Sequence, residues 1–413
     1  MKNIKRKLIL SMLAASILTV NINALTLPEA VDIALENNHE VQAKNFDYLE
    51  SLENVKLNDA DFLPKVGLGF VYNNRDEIAY PTQVDTDATF SAEVSYNLFN
   101  GFKNISDRNS SKFLSQSSQY SLNALKQDII LNTKIAYINY LDKENALETF
   151  KSAYNLFQEQ YIDSKNRYEQ GLIAKNDLLQ VQVNMSSAKQ NVAKAKGDLK
   201  TAKNTLSNIL GGMDLSSESI EKLSNTTLKT SDYDMKLLDN RSEIQALNMN
   251  LEAIKQQKKS IKSSFYPKVD ASISHNEYYE DISDYKNQNI ASLSASWNLY
   301  NGGFDNTKGN IYRTRYLKAK TQLDKTKLDI KLQYENAISN LEVAIENFNT
   351  ASLSQEQAEE NYQIVKNRFD EGISTSTDLT DANYLLTQSK QGLNRAYFDK
   401  FLAVSTLDRI FEK

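Results

Sequence analysis

Few residues in this chain could do chemistry, and their spacing narrows what that chemistry is. Asp378 and Asp381 stand three apart in Asp378-Leu379-Thr380-Asp381, so on a helix both carboxylates share one face. Two acids that close together cannot flank a substrate from opposite sides, as the paired carboxylates of glycoside hydrolysis do. For Asp378 the position suits a cap on a helix start. Asp177 and Gln180 hold the matching places in the first half of the chain, which therefore carries one acid where the second half carries two. The two histidines, His39 and His275, have no partners at ligand spacing, and the chain has no cysteine. That leaves no basis for thiol nucleophiles, disulfides, Cys-zinc sites or imidazole catalysis. No catalytic residue, metal site or cofactor is expected.

The elements that position these acids must come from a chain of 413 residues, 40% hydrophobic and 24% charged, with mean hydropathy −0.54. It is too polar for a bundle of membrane-spanning helices and apolar enough to fold. Only 12 Gly and 4 Pro argue against a turn-rich sandwich or propeller. Lys2, Lys5, Arg6 and Lys7 precede an apolar run from Leu8 to Val20, and Ala24 offers a small residue for cleavage. Residues 1–24 therefore read as a secretory signal peptide. Without those four cations the net charge goes from −5 to −9, which disfavours nucleic acid as a partner.

The rest is one unit written twice. Phe62-Leu63-Pro64-Lys65-Val66 returns as Phe265-Tyr266-Pro267-Lys268-Val269, and Asn97-Leu98-Phe99-Asn100-Gly101 returns as Asn298-Leu299-Tyr300-Asn301-Gly302. Arg167-Tyr168-Glu169-Gln170-Gly171 returns as Arg368-Phe369-Asp370-Glu371-Gly372. A single period this long is a duplication and not a solenoid. The units are 25–212 and 235–413, with a Ser/Thr/Asp-rich linker at 213–234. Each unit reads as a helix, a β-hairpin (64–99 and 267–300) and a long helical hairpin. Thr26-Leu27-Pro28-Glu29 opens the first helix, which should end before Pro64.

The strands alternate with period two. Phe90, Ala92, Val94, Tyr96 and Leu98 form one apolar row, and Ala291, Leu293, Ala295, Trp297 and Leu299 form another. Val66, Leu68, Phe70 and Tyr72 make a third, and Val269, Ala271 and Ile273 a fourth. The opposite faces are almost all Ser, Thr and Asn, which suits a barrel with lipid outside and water inside; a sheet resting on a soluble core is the bland alternative. Aromatics favour the barrel. Phe99, Phe102, Trp297, Tyr300 and Phe304 crowd one end of the hairpins, and Tyr72, Tyr80, Tyr278, Tyr279 and Tyr285 lie toward the other, as two membrane interfaces require.

Between Gly101 and Gly171 there is no Gly or Pro, and between Gly303 and Gly372 only Gly309. Each run predicts a helix on the order of 100 Å long. Tyr140, Leu147, Tyr154, Tyr161 and Tyr168 recur in sevens, joined by Phe150 and Phe157. Leu341, Phe348, Gln355, Tyr362 and Phe369 do the same beside Ala344, Ala351, Ala358 and Val365. Such a repeat imposes coiled-coil packing. Gly171-Leu172 and Gly372-Ile373 turn the chain, and Asp177 and Asp378 open the return helices.

Four amphipathic strands cannot close a barrel, and open edges are not tolerated in hydrocarbon. Two chains would give eight strands and three would give twelve; the small inward residues favour an open lumen and hence three.

With these features the chain resembles the TolC-type outer-membrane efflux channel family. The likeness rests on the duplicated plan, the Leu25-to-Ala43 opening, the two Pro-to-Asn-Gly hairpins and the paired motifs Arg167-to-Leu178 and Arg368-to-Leu379. The resemblance implies an α+β membrane protein: a homotrimer with a 12-stranded β-barrel in outer-membrane lipid, continuous with a long α-helical coiled-coil barrel across the periplasm. It implies a passive exit duct of a tripartite efflux or type I secretion system, with no catalysis. Its partners would be a periplasmic adaptor (membrane fusion) protein and an inner-membrane pump of RND or ABC type. It places Asp378 and Asp381 at the channel constriction, and Gly171, Leu172, Asp177, Gly372 and Ile373 at adaptor-contacting tips. Phe369 and Ser374 occupy the positions where family members carry a Tyr and an Arg that latch the gate, so that latch is not carried over. A periplasmic coiled-coil spacer or adhesin stalk is the competing structural class; it predicts extraction without detergent and no conductance.

Overall fold

The computed structural model describes residues 24–77, 79, 84–216, 218–223, 235–279 and 285–413. The expected signal peptide, apart from Ala24, the linker from 224 and Tyr80 lie outside these residues.

Thr26 opens α1 (Leu27–Asn37) with a capping box: Thr26 N–H donates to Glu29 Oε2 (2.9 Å) and Glu29 N–H to Thr26 Oγ1 (3.3 Å). The expected single helix up to Pro64 is in fact two. Asn38 leaves helical geometry, and its Oδ1 accepts from Glu40 N–H (2.9 Å) to start α2 (His39–Asp59). Asn competes with the helix backbone in this way. A 3₁₀ turn, Ala60–Phe62, then leads into β1.

β1 (Lys65–Asn74), β2 (Thr86–Asn100), β3 (Lys268–Tyr279) and β4 (Tyr285–Ser296) form one antiparallel sheet in sequence order. β2 pairs with β3 and so joins the two halves of the chain. The register stacks Val66, Val94, Ile273 and Ala291 in one row across the sheet, and Lys65, Ser95, Ser272 and Ser292 in the next. On these rows one face is apolar and the other polar; on the next two rows of the apolar face, farther from the helices, it also carries His275, Glu277, Asn287 and Asn289 beside Leu68, Phe70, Phe90 and Ala92. Two expectations fail at the helix-proximal end. A bulge between Asn97 and Phe99 brings Phe99, not Leu98, opposite Val269; the extra residue of a bulge breaks the alternation. β4 stops at Ser296, leaving Trp297 and Leu299 beyond the strand, because its one partner begins at Lys268 opposite Ser296.

α3 (Lys103–Glu169) and α6 (Phe304–Asp370) each run 67 residues, about 100 Å at 1.5 Å per residue. α4 (Lys175–Ile209) and α7 (Ser376–Phe411) return antiparallel to them, and α5 (Ser242–Ile261) precedes β3. The wall is thus four helices wide. Near the sheet the order is α2, α3, α5, α6; toward the tips it is α4, α3, α7, α6. α2 continues the line of α4, where Asn38 Nδ2 donates to Ile209 O (3.3 Å). α5 continues the line of α7, where Glu412 accepts from the N–H (2.8 Å) and Oγ (2.9 Å) of Ser242. Glu412 supplies the cap that Arg241, at the N-cap position of α5, does not.

Of the second-half heptad, Leu341, Ala344, Ala358, Tyr362 and Phe369 are interior, while Phe348, Ala351, Gln355 and Val365 are only half-buried; the buried seam also extends back through Ala337, Ile330 and Leu323. In α3 the expected seam holds at Tyr140 and Leu147 and then slips by one residue. Ala153, Phe157, Gln160 and Ser164 are buried, while Tyr154 and Tyr161 are half-buried and Tyr168 is 38% exposed. A 3.6-residue helix drifts against a seven-residue repeat, and beyond the midpoint α3 must face both α4 and α7. At mid-wall Tyr137 is fully buried, with its hydroxyl 2.8 Å from Leu25 O and 2.7 Å from Glu221 O. It pins the parallel bridge Leu25–Ile220 across the first core.

Candidate functional site

The two helical hairpins end in the same turn. Gly171 and Gly372 both sit at φ +76°. Leu172 N–H donates to Arg167 O (2.9 Å) and Gly171 N–H to Tyr168 O (2.9 Å); Ile373 N–H donates to Arg368 O (2.7 Å) and Gly372 N–H to Phe369 O (3.0 Å). This paired closure needs a residue in the left-handed region, which Gly adopts without strain. It leaves Leu172 and Ile373 as the outermost apolar side chains, 68% and 62% exposed.

The return helices start differently. Thr375 N–H and Oγ1 both donate to Asp378 Oδ2 (2.8 Å each), and Asp378 N–H donates to Thr375 Oγ1 (3.2 Å). Those hydrogen bonds hold the Asp378 carboxyl below the usual carboxylate range, the backbone N–H first and the hydroxyl second. In the first hairpin Ala174 has no hydroxyl, and only its N–H reaches Asp177, at 3.4 Å. α7 buries Leu379, Thr380, Ala382 and Asn383 and exposes Asp378, Asp381, Tyr384 and Leu385. Both acids therefore share the open face, as their spacing requires, but Asp378 is committed to its cap. Asp381 has no hydrogen bond or ion pair among the described residues.

Two features here were not read from the sequence. Arg167, at the foot of α3, lies 4.4 Å over the ring of Phe369 and donates from Nη2 to Phe369 O (3.1 Å). Asp163 Oδ2 accepts from its Nε (2.8 Å) and orients it. The signal was present in the paired tip motifs, but spacing cannot say that one repeat clasps the other. Further in, buried Gln160 donates to Ser376 O (2.9 Å) and Thr380 Oγ1 (3.0 Å), forming a polar layer where α3 meets α7.

At the other end the bare sheet face is conspicuous: Val66 is 74% exposed and Leu293 73%. Phe99 and Phe102 meet edge to face at 5.1 Å, and Phe102 meets Tyr266 at 5.9 Å. Trp297 and Tyr300, between β4 and α6, and Phe304, at the start of α6, are exposed as well. Tyr72 and Tyr279 sit at the far ends of β1 and β3, also exposed. Among the described residues no helix is long and apolar enough to cross a membrane, and no cluster of metal-ligating side chains occurs. His275 meets Asn289 (2.7 Å) and Glu277 (3.4 Å), and His39 meets Gln42 (3.4 Å).

Residues 30–212 and 235–410 match the family described as Outer membrane efflux protein. The chain belongs to that family. It is 22% identical over 368 residues to the outer membrane protein TolC of Escherichia coli (strain K12), covering 83% of this chain and 74% of TolC. The fold resembles the outer membrane protein VceC of Vibrio cholerae (TM-score 0.82, 18% identity, 93% of this chain and 95% of VceC). It also resembles the Campylobacter jejuni CmeC outer membrane channel (TM-score 0.84, 18% identity, 93% and 85%). The protein is accordingly an outer-membrane efflux protein extending into the periplasm, with the fold of these channels.

Proposed function

We propose that the protein is the passive exit duct of a tripartite efflux or type I secretion system, formed by three copies closing a 12-stranded barrel over a helical tunnel. The observation that carries this is a wall open on both sides at every level. The sheet ends in unpaired edges β1 and β4, and the helical layers end in α2 and α4 on one side and α6 on the other. Each free helix bears outward apolar residues: Phe46 and Leu57 on α2, Leu179 and Val183 on α4, Leu328, Leu332 and Val343 on α6. Edges cannot stay open in lipid, and two unlike edges on one body join head to tail into a ring. The apolar sheet face then meets lipid and the Ser/Thr/Asn face meets water, with Phe99, Phe102, Trp297, Tyr300 and Phe304 at the inner interface.

At the far end Asp378 and Asp381 form the constriction. Repetition around the ring concentrates carboxylates, which attracts cations and resists anions. Leu172 and Ile373, set by Gly171 and Gly372 and followed by Asp177 in the first hairpin, are the contact surface for a periplasmic adaptor, which links the duct to an inner-membrane pump of RND or ABC type. The duct itself makes and breaks no bonds.

The test is planar-bilayer recording of detergent-purified protein alongside its mass in detergent. A three-subunit particle with cation-preferring conductance supports the duct. A lone subunit, soluble in plain buffer and silent in the bilayer, overturns it in favour of a spacer or stalk.

A further inference from the structure

The open edges of the helical wall are charged, and the sign on each reverses at the level where α2 gives way to α4. On α2, Glu40 and Glu50 are exposed, and Asp47 and Glu53 pair only with lysines three residues away. On α4, Lys189, Lys196 and Lys200 are exposed, and none makes an ion pair among the described residues. α6 carries the opposite pattern on the opposite edge. Toward the sheet it exposes Arg313, Lys318 and Lys320; toward the tips it exposes Glu342, Glu346, Glu356 and Glu360, all likewise without ion pairs. Between the two zones the pairs Lys325–Asp329 (2.6 Å), Lys327–Asp239 (3.0 Å) and Lys331–Glu335 (3.8 Å) neutralise the middle of α6. At 100° per residue, Glu342, Glu346 and Glu360 lie beside the exposed Leu332, Val343 and Leu353, away from the buried Leu323, Ile330 and Ala337.

We propose that this reversal is an assembly key: α6 of one copy docks on α2 and α4 of the next, basic on acidic near the sheet and acidic on basic toward the tips. The key rests on the ring reading above and adds what that reading lacks, a reason for the wall to close in one register. A single-sign edge would tolerate sliding along the wall; a two-zone edge opposes it, since a long slip brings like charge onto like. It also rejects α6 against α6, which would face base with base above and acid with acid below. Charges arranged this way fix partner choice and speed of encounter more than final affinity, while the apolar stripe supplies the buried area.

The test uses the full chain in detergent with three variants: Lys189→Glu/Lys196→Glu/Lys200→Glu, Glu342→Lys/Glu346→Lys/Glu360→Lys, and the two combined. Each one-sided variant is expected to lower the oligomer fraction at least about tenfold in about 0.1 M salt, with helix content unchanged, and the combination to restore it. One-sided variants that stay oligomeric, or a combination that fails to recover, overturn the key while leaving the ring intact. An unaltered chain that is itself a lone subunit overturns both. Should a variant misfold, the unaltered chain decides: its rate of assembly is expected to fall about tenfold or more between about 0.05 M and about 1 M salt. A rate indifferent to salt overturns the key.

Discussion

The guanidinium of Arg167 stacks 4.4 Å over Phe369 and donates to that residue's own carbonyl oxygen, so one side chain ties the ends of two helical hairpins that are 202 positions apart. The ring and the carbonyl are gripped together, so the contact fixes both the position and the rotation of the end of α6. Planar stacking with a directed donor is what Arg offers and Lys does not.

Replacing Arg167 with Ala is expected to loosen the tips by about 1–2 kcal/mol per subunit, and Arg167→Lys to recover less than half of that. The chain has no native cysteine, so spin labels placed at Gln170 and Glu371 report the separation without background. A distance distribution unchanged in Arg167→Ala would show that the clasp holds nothing.

The two tip acids are expected to separate in experiment. Asp378→Asn loses the carboxylate that closes the capping box, so amide exchange at residues 376–379 should accelerate. Because the cap hydrogen bonds lower the Asp378 pKa, its contribution is complete above the ordinary carboxylate range and fades as pH drops below it. Asp381→Asn should leave that exchange untouched and reduce cation preference in reversal-potential measurements. Equal effects of the two changes on that amide exchange would contradict the division of labour.

Glu243 should dominate acid sensitivity at mid-wall. Arg241 and Arg409 both reach its carboxylate, and Arg409 also bonds Asp128 (2.7 Å). Burial opposes the charge, but hydrogen bonds from Arg241 and Arg409 prevail and hold the pKa at about 2, from 4.5. The lowered value means the contribution is fully present above pH 4.5 and is lost as pH falls toward 2; its size is on the order of 2 kcal/mol. Melting temperature followed from pH 6 to about pH 3 should fall more steeply for the native chain than for Glu243→Gln. Parallel curves would place the acid sensitivity elsewhere.

Glu412 caps a helix that begins 170 residues earlier. Glu412→Ala should cost about 1 kcal/mol and expose the amides of Ser242 to Gln245 to exchange, leaving α7 itself protected up to Ile410. Protection unchanged at Ser242 would mean that water replaces the carboxylate without loss.

Much of this architecture could be read residue by residue. The absence of Gly and Pro over 102–170 set the length of α3, the recurrence of Arg-aromatic-acid-X-Gly set both tips, and period-two alternation set four strands. Local chemistry decides each of these, because helix breakers, turn glycines and strand faces act over a few residues. The readings that failed needed a partner to decide them. Whether β4 continued past Ser296 depended on where β3 began, and the bulge at Leu98 on how β2 met β3. The α3 seam slipped because two helices compete for one surface. The clasp of Arg167 on Phe369 and the capture of α5 by Glu412 likewise belong to tertiary structure, whereas the Asp378 cap is a local contact with Thr375 that the sequence already offered. Sequence spacing fixes which face a side chain occupies along its own element; which distant group arrives on that face is set by packing energy summed over the whole wall.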